Sequence, residues 1–114
     1  MERGEIWPVA LPFAPGREQQ GHRPAVVVQD EGYGRRSPLV LVVPLTSQLA
    51  ALRFPAAVRL DPTVENGLDV PSVAMVFQTR ALDRSRFGRR VGRLSRANLR
   101  QIEAELRRLT GLGS

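Results

Sequence analysis

The chain is predicted to be mainly β, a small barrel or sandwich with one helix at its C-terminal end. Short apolar runs separated by glycine and proline fill most of the sequence, a pattern typical of strands and tight turns. Only the C-terminal segment changes to the three- and four-residue spacing of a helix. Its 114 residues are the length of one domain, so we treat 1–114 as a single unit.

Six apolar runs are predicted to be strands, near residues 4–11, 24–30, 38–45, 56–60, 72–82 and 89–94. The intervening loop at 12–22 is long for a hairpin, and loops of this length are often binding elements. Pro44 cannot donate to a strand ladder, so we expect an edge or bulge just before Thr46. Residues 47–52 are expected to form a single helical turn.

The C-terminal helix is predicted from an apolar stripe at helical spacing, formed by Leu99, Ile102, Leu106 and Leu109. Ser95 is a good N-cap and Gly111 a good C-terminal stop. Arg107 and Arg108 complement the negative end of the helix dipole. We therefore expect the helix to lie on the β-structure, with its arginine-rich face in solvent.

The formal net charge is +6, and all 17 basic residues are arginine. A basic balance in a small domain favours polyanionic partners, either nucleic acid or an acidic protein that mimics it. Cysteine is absent, which excludes disulfides and thiol catalysis, and a single histidine argues against a structural zinc site. With no secretion signal and no apolar run near the roughly 18 residues of a membrane span, we expect a cytoplasmic protein without membrane contact.

Arg23 and Thr46 stand at the ends of two strongly apolar runs. If these runs are neighbouring strands, the two side chains meet at one rim. Pro24 keeps the backbone of Arg23 extended, and Gly21 lets the loop approach a ligand closely. Such a pair suits phosphate chemistry, because an arginine can stabilise charge that develops on a phosphoryl group.

Structural interpretations of the same residues stay open. Arg23 could simply pair with Glu18 or Asp30, and a threonine or serine commonly ends a strand. His22 has no visible partner and is interpreted as an exposed bystander, whereas Glu18 is the better candidate proton acceptor or loop anchor.

No glycine-rich phosphate loop, no Ser/His/Asp arrangement and no carboxylate cluster for magnesium is present in the sequence. Any nucleolytic chemistry is therefore expected to need neither metal nor cofactor. RNA permits this, because its own 2′-hydroxyl can attack the adjacent phosphorus. An arginine and a threonine, helped by a glutamate or backbone amides, are a sufficient set of groups.

Seven short segments, in order and at suitable spacing, resemble the MazF/PemK toxins of type II toxin–antitoxin systems. They are residues 3–7, 18–19 with 21 and 23–24, the valine-rich strand that ends in Gln29, 44–47, 67–68 with 72–73, 78–83 and 109–112. The resemblance covers nearly the whole chain, and its specificity comes from the ordered set rather than from any one motif.

The resemblance implies an SH3-like β-barrel with a C-terminal helix packed on it, and a homodimer. It also implies a sequence-specific endoribonuclease that cuts single-stranded mRNA without metal and leaves 2′,3′-cyclic phosphate and 5′-hydroxyl ends. A cognate MazE-type antitoxin would block the RNA groove, and DNA would be bound only through the toxin–antitoxin complex.

By position in the family pattern, Arg23 and Thr46 would be the catalytic pair. The RNA-contacting positions would be Glu18, Gln19, Gly21, Ser47, Ser72 and Gln78. Phe77 occupies a position that is often Glu in this family, so a different base preference is expected.

Two alternatives belong to other functional classes. A gyrase inhibitor of the CcdB type would share the fold, but such proteins act through an apolar, Trp-bearing C-terminal end. Here the tail at 109–114 has no Trp, and Trp7 lies near the N-terminus. The second alternative is a non-catalytic barrel that binds nucleic acid or protein.

Overall fold

The computed structural model describes residues 1–12, 15–16, 20–34 and 37–113. Its strands are β1 (Glu5–Leu11), β2 (Gly21–Val27), β3 (Leu39–Thr46), β4 (Ala57–Leu60), β5 (Ser72–Met75), β6 (Arg80–Asp83) and β7 (Gly92–Arg93). The helices are α1 (Glu31–Gly34) and α2 (Arg96–Thr110), and three 3₁₀ turns cover Leu49–Arg53, Val76–Gln78 and Arg84–Arg86. Within the described ranges, no helix has the length and apolar character required to cross a membrane.

Strand β3 is the centre of a curled antiparallel sheet whose order is β4-β5-β3-β2-β1-β7. On one side β3 pairs with β2, and on the other it pairs first with β6 and then with β5. A bridge between Val9 and Phe87 joins β1 to the segment that follows β6, so the sheet bends back on itself. The predicted mainly β fold with a C-terminal helix is confirmed.

The single strand predicted at 72–82 is wrong, because the turn Val76–Gln78 divides it into β5 and β6. The backbone N–H and the hydroxyl of Thr79 both donate to the Val76 carbonyl, which closes this turn. Strand β3 can therefore pair with two successive partners on the same side. The apolar composition of the run predicted strand throughout, because side-chain hydrogen bonds that end a strand leave no trace in hydrophobic periodicity.

Other boundaries move by a few residues. Strand β2 begins at Gly21 rather than residue 24, because it pairs with β1 as far as Leu11. Pro44 does not interrupt β3; it lies between the residues paired with β6 and those paired with β5, where the partner strand changes. The helical turn expected at 47–52 is Leu49–Arg53, and the strand expected at 89–94 is reduced to Gly92–Arg93.

Helix α2 forms where the sequence predicted it. The Ser95 side chain accepts a hydrogen bond from the Asn98 N–H, and Gly111 ends the helix with a left-handed φ of 71°. Ile102 is fully buried in the core, whereas Leu109 is 47% exposed, so the apolar stripe ends before Leu109. The helix packs on β4 and on the Val76–Gln78 turn, and thereby supports one wall of the candidate site.

Candidate active site

A cleft of roughly 330 Å³ lies where β2 and β3 meet two of the 3₁₀ turns. It is lined by Arg23, Thr46, Gln48, Ala50, Ala51, Arg53, Phe54, Met75, Phe77 and Gln78. No aspartate or glutamate is among these described lining residues, while two arginines are. The cleft is therefore suited to an anion that carries an apolar or aromatic group.

The register of the sheet explains why Arg23 and Thr46 share the cleft. Strands β2 and β3 run antiparallel with Ala25 opposite Pro44. Arg23 lies two residues before Ala25, and Thr46 lies two residues after Pro44. Because the strands are antiparallel, both positions lie towards the same rim. The predicted meeting of the two side chains at one rim is thus confirmed, while their catalytic roles stay a prediction.

Arg23 is held by the backbone rather than by an acid. Its Nε donates to the Gln20 carbonyl at 3.2 Å. Among the described residues no carboxylate lies within salt-bridge distance of it. Asp30, one of the two pairing partners considered from sequence, instead accepts the Gly32 N–H at 2.9 Å. The positive charge of Arg23 is consequently not neutralised by a described acid.

Thr46 ends β3 as an almost fully buried residue, with 4% of its surface exposed. Its Oγ1 accepts a hydrogen bond from the Gln48 N–H at 3.2 Å, a local bond that sets the position of the oxygen. A hydroxyl that accepts in this way can still donate its own proton. Thr46 therefore offers a positioned O–H donor at the cleft.

Phe54 and Phe77 also line the cleft, and we call this pair its aromatic wall. The rings of Phe54 and Phe77 lie 6.1 Å apart at 50°, and the Arg53 guanidinium sits 5.4 Å from the centre of the Phe54 ring. Phe77, the position that the family resemblance linked to base preference, is 41% exposed and lines the cleft. Arg53 and Phe54 were missed from sequence. Their only signal was an arginine–aromatic pair directly after a predicted turn.

The other predicted RNA-contacting residues divide into two groups. Gln78 lines the cleft, and Gly21 lies at the exposed start of β2 with φ +81° and open space on its Cβ side. Ser47 is exposed directly after Thr46 but is not a lining residue. Ser72 is buried, and its hydroxyl donates to the Val70 carbonyl at 3.1 Å. Of these four residues, Gln78 lines the cleft together with Arg23 and Thr46, whereas Gly21, Ser47 and Ser72 are not among its described lining residues.

Glu18 and Gln19 lie outside the described residues. His22 is exposed on β2, and as the strand neighbour of Arg23 it points to the other face of the sheet. It is not among the lining residues, and its interpretation as a bystander stays a prediction.

Comparison with known proteins places this architecture in one family. Residues 2–110 match the family model described as PemK-like, MazF-like toxin of type II toxin–antitoxin system. Among curated proteins, the endoribonuclease MazF9 of Mycobacterium tuberculosis is 38% identical over 112 residues, covering 94% of this chain and 93% of the relative. The endoribonuclease MazF of Staphylococcus saprophyticus is 29% identical over 102 residues, covering 90% and 84%.

Solved structures agree. MazF of Deinococcus radiodurans superimposes with a TM-score of 0.82 at 27% identity, covering 98% of this chain and 97% of that one. A MazE–MazF complex from the same organism matches with a TM-score of 0.77 at 27% identity, covering 99% and 97%. The match over nearly the full length shows that the protein belongs to the PemK-like, MazF-like toxins of type II toxin–antitoxin systems.

Proposed function

We propose that this toxin is an endoribonuclease that cuts single-stranded RNA at the cleft, with Arg23 and Thr46 as its catalytic pair. The observation that carries the proposal is that the β2–β3 register delivers an arginine without a described acidic partner and a positioned hydroxyl to one cleft. The relatives named endoribonuclease MazF support it.

The proposed reaction uses the substrate's own nucleophile. The 2′-hydroxyl oxygen attacks the adjacent phosphorus, the P–O5′ bond breaks, and a 2′,3′-cyclic phosphate forms. The 2′-hydroxyl loses its proton, and the departing 5′-oxygen gains one to become a hydroxyl. The atoms balance without water, metal or cofactor, because the attacking and leaving oxygens both belong to the RNA.

Arg23 and Thr46 act on the charge of the transition state. Negative charge grows on the non-bridging phosphoryl oxygens, and a guanidinium beside them stabilises that charge more strongly than it stabilises the ground state. The bond from the Arg23 Nε to the Gln20 carbonyl restricts the guanidinium before substrate arrives. The Thr46 O–H donates to a phosphoryl oxygen or orients the 2′-hydroxyl. Glu18 is the candidate to accept the proton of the attacking hydroxyl.

The partners follow from the family and from charge. We infer that the active form is a cytoplasmic homodimer that cuts mRNA, and that a cognate MazE-type antitoxin inhibits it by covering the cleft. DNA is bound only by the toxin–antitoxin complex. The MazE–MazF complex of Deinococcus radiodurans supports an antitoxin partner. The net charge of +6 suits both an RNA and an acidic peptide that replaces it.

The experiment incubates purified protein with a defined single-stranded RNA in EDTA and analyses the new ends. We expect cleavage, 5′-hydroxyl ends that polynucleotide kinase can phosphorylate, and cyclic phosphates that resist simple phosphatase treatment. A matched RNA with 2′-deoxyribose at the cut nucleotides should stay intact, because the nucleophile is missing. Cleavage of the deoxy-substituted RNA, or dependence on added metal, would contradict the mechanism.

The same preparation separates the alternatives. An uncut RNA that still binds would favour the non-catalytic barrel. Inhibition of DNA supercoiling by gyrase, without RNA cleavage, would favour the CcdB-type activity. Neither alternative explains why the cleft pairs Arg23 with Thr46, so we expect neither outcome.

A further inference from the structure

The aromatic wall of the cleft is a chemical feature that the proposed cleavage step does not use. Phe77 is 41% exposed although its neighbour Val76 is fully buried. An exposed phenylalanine in a concave site costs solvation free energy, which a ligand with an aromatic face can offset. This residue is therefore a candidate for contact with a nucleobase.

The wall is held in place from behind. Phe54 packs against a small buried cluster of Ala51, Val73 and Met75. Arg53 stacks on the Phe54 ring at 5.4 Å, and Phe77 lies 6.1 Å from the same ring. Phe54 is half-buried with both groups near its ring, whereas Phe77 is 41% exposed and is the more exposed member of the aromatic pair. The backing of Phe54 restricts how far the Phe77 ring can move.

We propose that Phe77 is a stacking platform for a base flanking the scissile phosphate, and that it gives the enzyme a purine preference at that position. Phenylalanine has no hydrogen-bonding group and cannot read the edge of a base. It can respond to stacking area, which is larger for the two rings of a purine. The platform should accordingly favour purines over pyrimidines without separating adenine from guanine.

The inference rests on the proposed function for its cleavage readout, but the binding readout is independent of cleavage. The first measurement sequences all 5′-hydroxyl ends that the wild type and its variants produce from one long RNA. We expect a purine to be enriched at a position next to the wild-type cut. Phe77→Ala and Phe77→Leu should lose this enrichment, and Phe77→Trp should retain it.

The second measurement uses a short, fully 2′-O-methylated single-stranded RNA that contains 2-aminopurine and cannot be cut. Stacking on an aromatic ring quenches this fluorophore, so binding to the wild type should quench it. Loss of one base–aromatic stack should weaken binding roughly 5- to 150-fold in Phe77→Ala. Phe77→Leu keeps an apolar side chain, and should lose the quenching even where part of the affinity remains.

Leu52→Ala is the matched control. Leu52 is 38% exposed, close to the value for Phe77, and lies in the Leu49–Arg53 turn without lining the cleft. We expect its cleavage profile, probe affinity and quenching to match the wild type. Melting curves and size-exclusion profiles of all variants separate a stacking defect from a loss of fold or of assembly.

Several outcomes would overturn the inference. These are a wild-type profile without purine enrichment, a Phe77→Ala profile and affinity within twofold of wild type, or full quenching by Phe77→Leu. Loss of antitoxin binding in Phe77→Ala with unchanged RNA profile and quenching would assign the wall to the partner protein and also overturn it. If the wild type cuts no RNA but quenches the probe through Phe77, the proposed function fails and the stacking platform stands.

Discussion

The arginines of two regions, the cleft and the start of β1, have different partners. Near the beginning of β2, Arg23 reaches the cleft with one backbone acceptor and no carboxylate partner among the described residues. Beside the end of β2, at the start of β1, the buried Glu5 carboxylate contacts Arg90 at 2.9 Å and Arg93 at 3.6 Å. We call the latter group the Glu5 cluster; it also includes Glu2, which pairs with Arg93.

The two regions differ in the partners of their arginines, and this difference bears on the role proposed for Arg23. In the Glu5 cluster the acid is buried, so removing its counter-ions would leave an uncompensated charge in the protein. At the cleft the arginine is the uncompensated charge, and a bound phosphate would compensate it. The excess of arginine in the sequence therefore does not single out Arg23. Its place at the cleft, together with the lack of a described acidic partner, makes it the candidate to bind a phosphate.

Arg23→Ala should have the largest effect. We expect RNA cleavage to fall roughly 100- to 1000-fold, the usual cost of removing one group that stabilises transition-state charge. The melting temperature should hardly change, because the only bond described for the side chain is an exposed one to the Gln20 carbonyl. Single-turnover rates and melting curves on the same preparation measure both effects.

Arg90→Ala is the matched comparison from the Glu5 cluster. It should lower stability and leave the cleavage rate near wild type, the reverse of Arg23→Ala. The distinction between the two regions would fail if Arg23→Ala melted lower than Arg90→Ala and still cut RNA.

Thr46→Val should come next. It keeps the shape of the side chain and removes the hydroxyl, so the cleavage rate constant should fall roughly 10- to 150-fold, the equivalent of a hydrogen bond to a charged group. The Gln48 N–H loses its acceptor as well, and a modest drop in melting temperature is expected. Thr46→Ser should retain most of the rate. An equal loss in Thr46→Ser and Thr46→Val would contradict a role for the hydroxyl.

The cleft was partly predictable because of how strands pair. Two β-branched runs separated by a short connection favour antiparallel neighbours, so the residues at their facing ends, Arg23 and Thr46, could be matched from sequence. The bounds of the C-terminal helix were also predictable, because the N-cap Ser95 and the stop Gly111 act within one turn of the chain.

The aromatic wall could not be predicted in this way. Phe54 directly follows the Leu49–Arg53 turn and Phe77 lies in the Val76–Gln78 turn. The two rings are far apart in sequence and come together because β5 leads the second turn to the first. Ser72 shows a second limit. The sequence resemblance predicted an RNA contact there, whereas in the structure the Ser72 hydroxyl donates to the Val70 carbonyl. Periodicity reports which face of an element is buried, but it does not report which side chains from different turns come together.

Glu5→Gln tests the other side of the comparison. The Glu5 carboxylate accepts the Glu2 N–H at 2.8 Å and the Trp7 indole N–H at 3.1 Å, besides its contacts to the two arginines. Replacing charge-assisted hydrogen bonds by neutral ones should reduce the free energy of unfolding by about 2 kcal/mol, measured by urea denaturation. RNA cleavage below the melting temperature should be unchanged.

Asp61→Asn is its control. Asp61 forms an exposed ion pair with Arg59, and such pairs contribute between about 0 and 1 kcal/mol. A loss of stability in Asp61→Asn as large as in Glu5→Gln would show that burial of the acid does not distinguish the two.

The pH dependence should be the smallest and most specific effect. Burial, the largest single influence on Glu5, raises its pKa, but the hydrogen bonds from the Glu2 N–H, Arg90 and Trp7 together lower it below its ordinary value of 4.5. A carboxyl with a lowered pKa stabilises the fold fully above its ordinary value, and this contribution is lost as the pH falls through the lowered one. The difference in unfolding free energy between wild type and Glu5→Gln should therefore be constant near neutral pH and shrink below pH 4.5.

Asp83 would obscure this trend in the wild type alone. The Ser85 N–H hydrogen-bonds its carboxylate and lowers its pKa as well, so acid weakens that turn in the same direction. Because Glu5→Gln retains Asp83, the difference between the two proteins isolates Glu5. A difference that persisted unchanged well below pH 4.5 would mean that the Glu5 cluster stabilises the fold through packing and neutral hydrogen bonds. An ion pair with a buried acid would then not be what distinguishes Arg90 and Arg93 from Arg23. Only the position of Arg23 at the cleft would distinguish them.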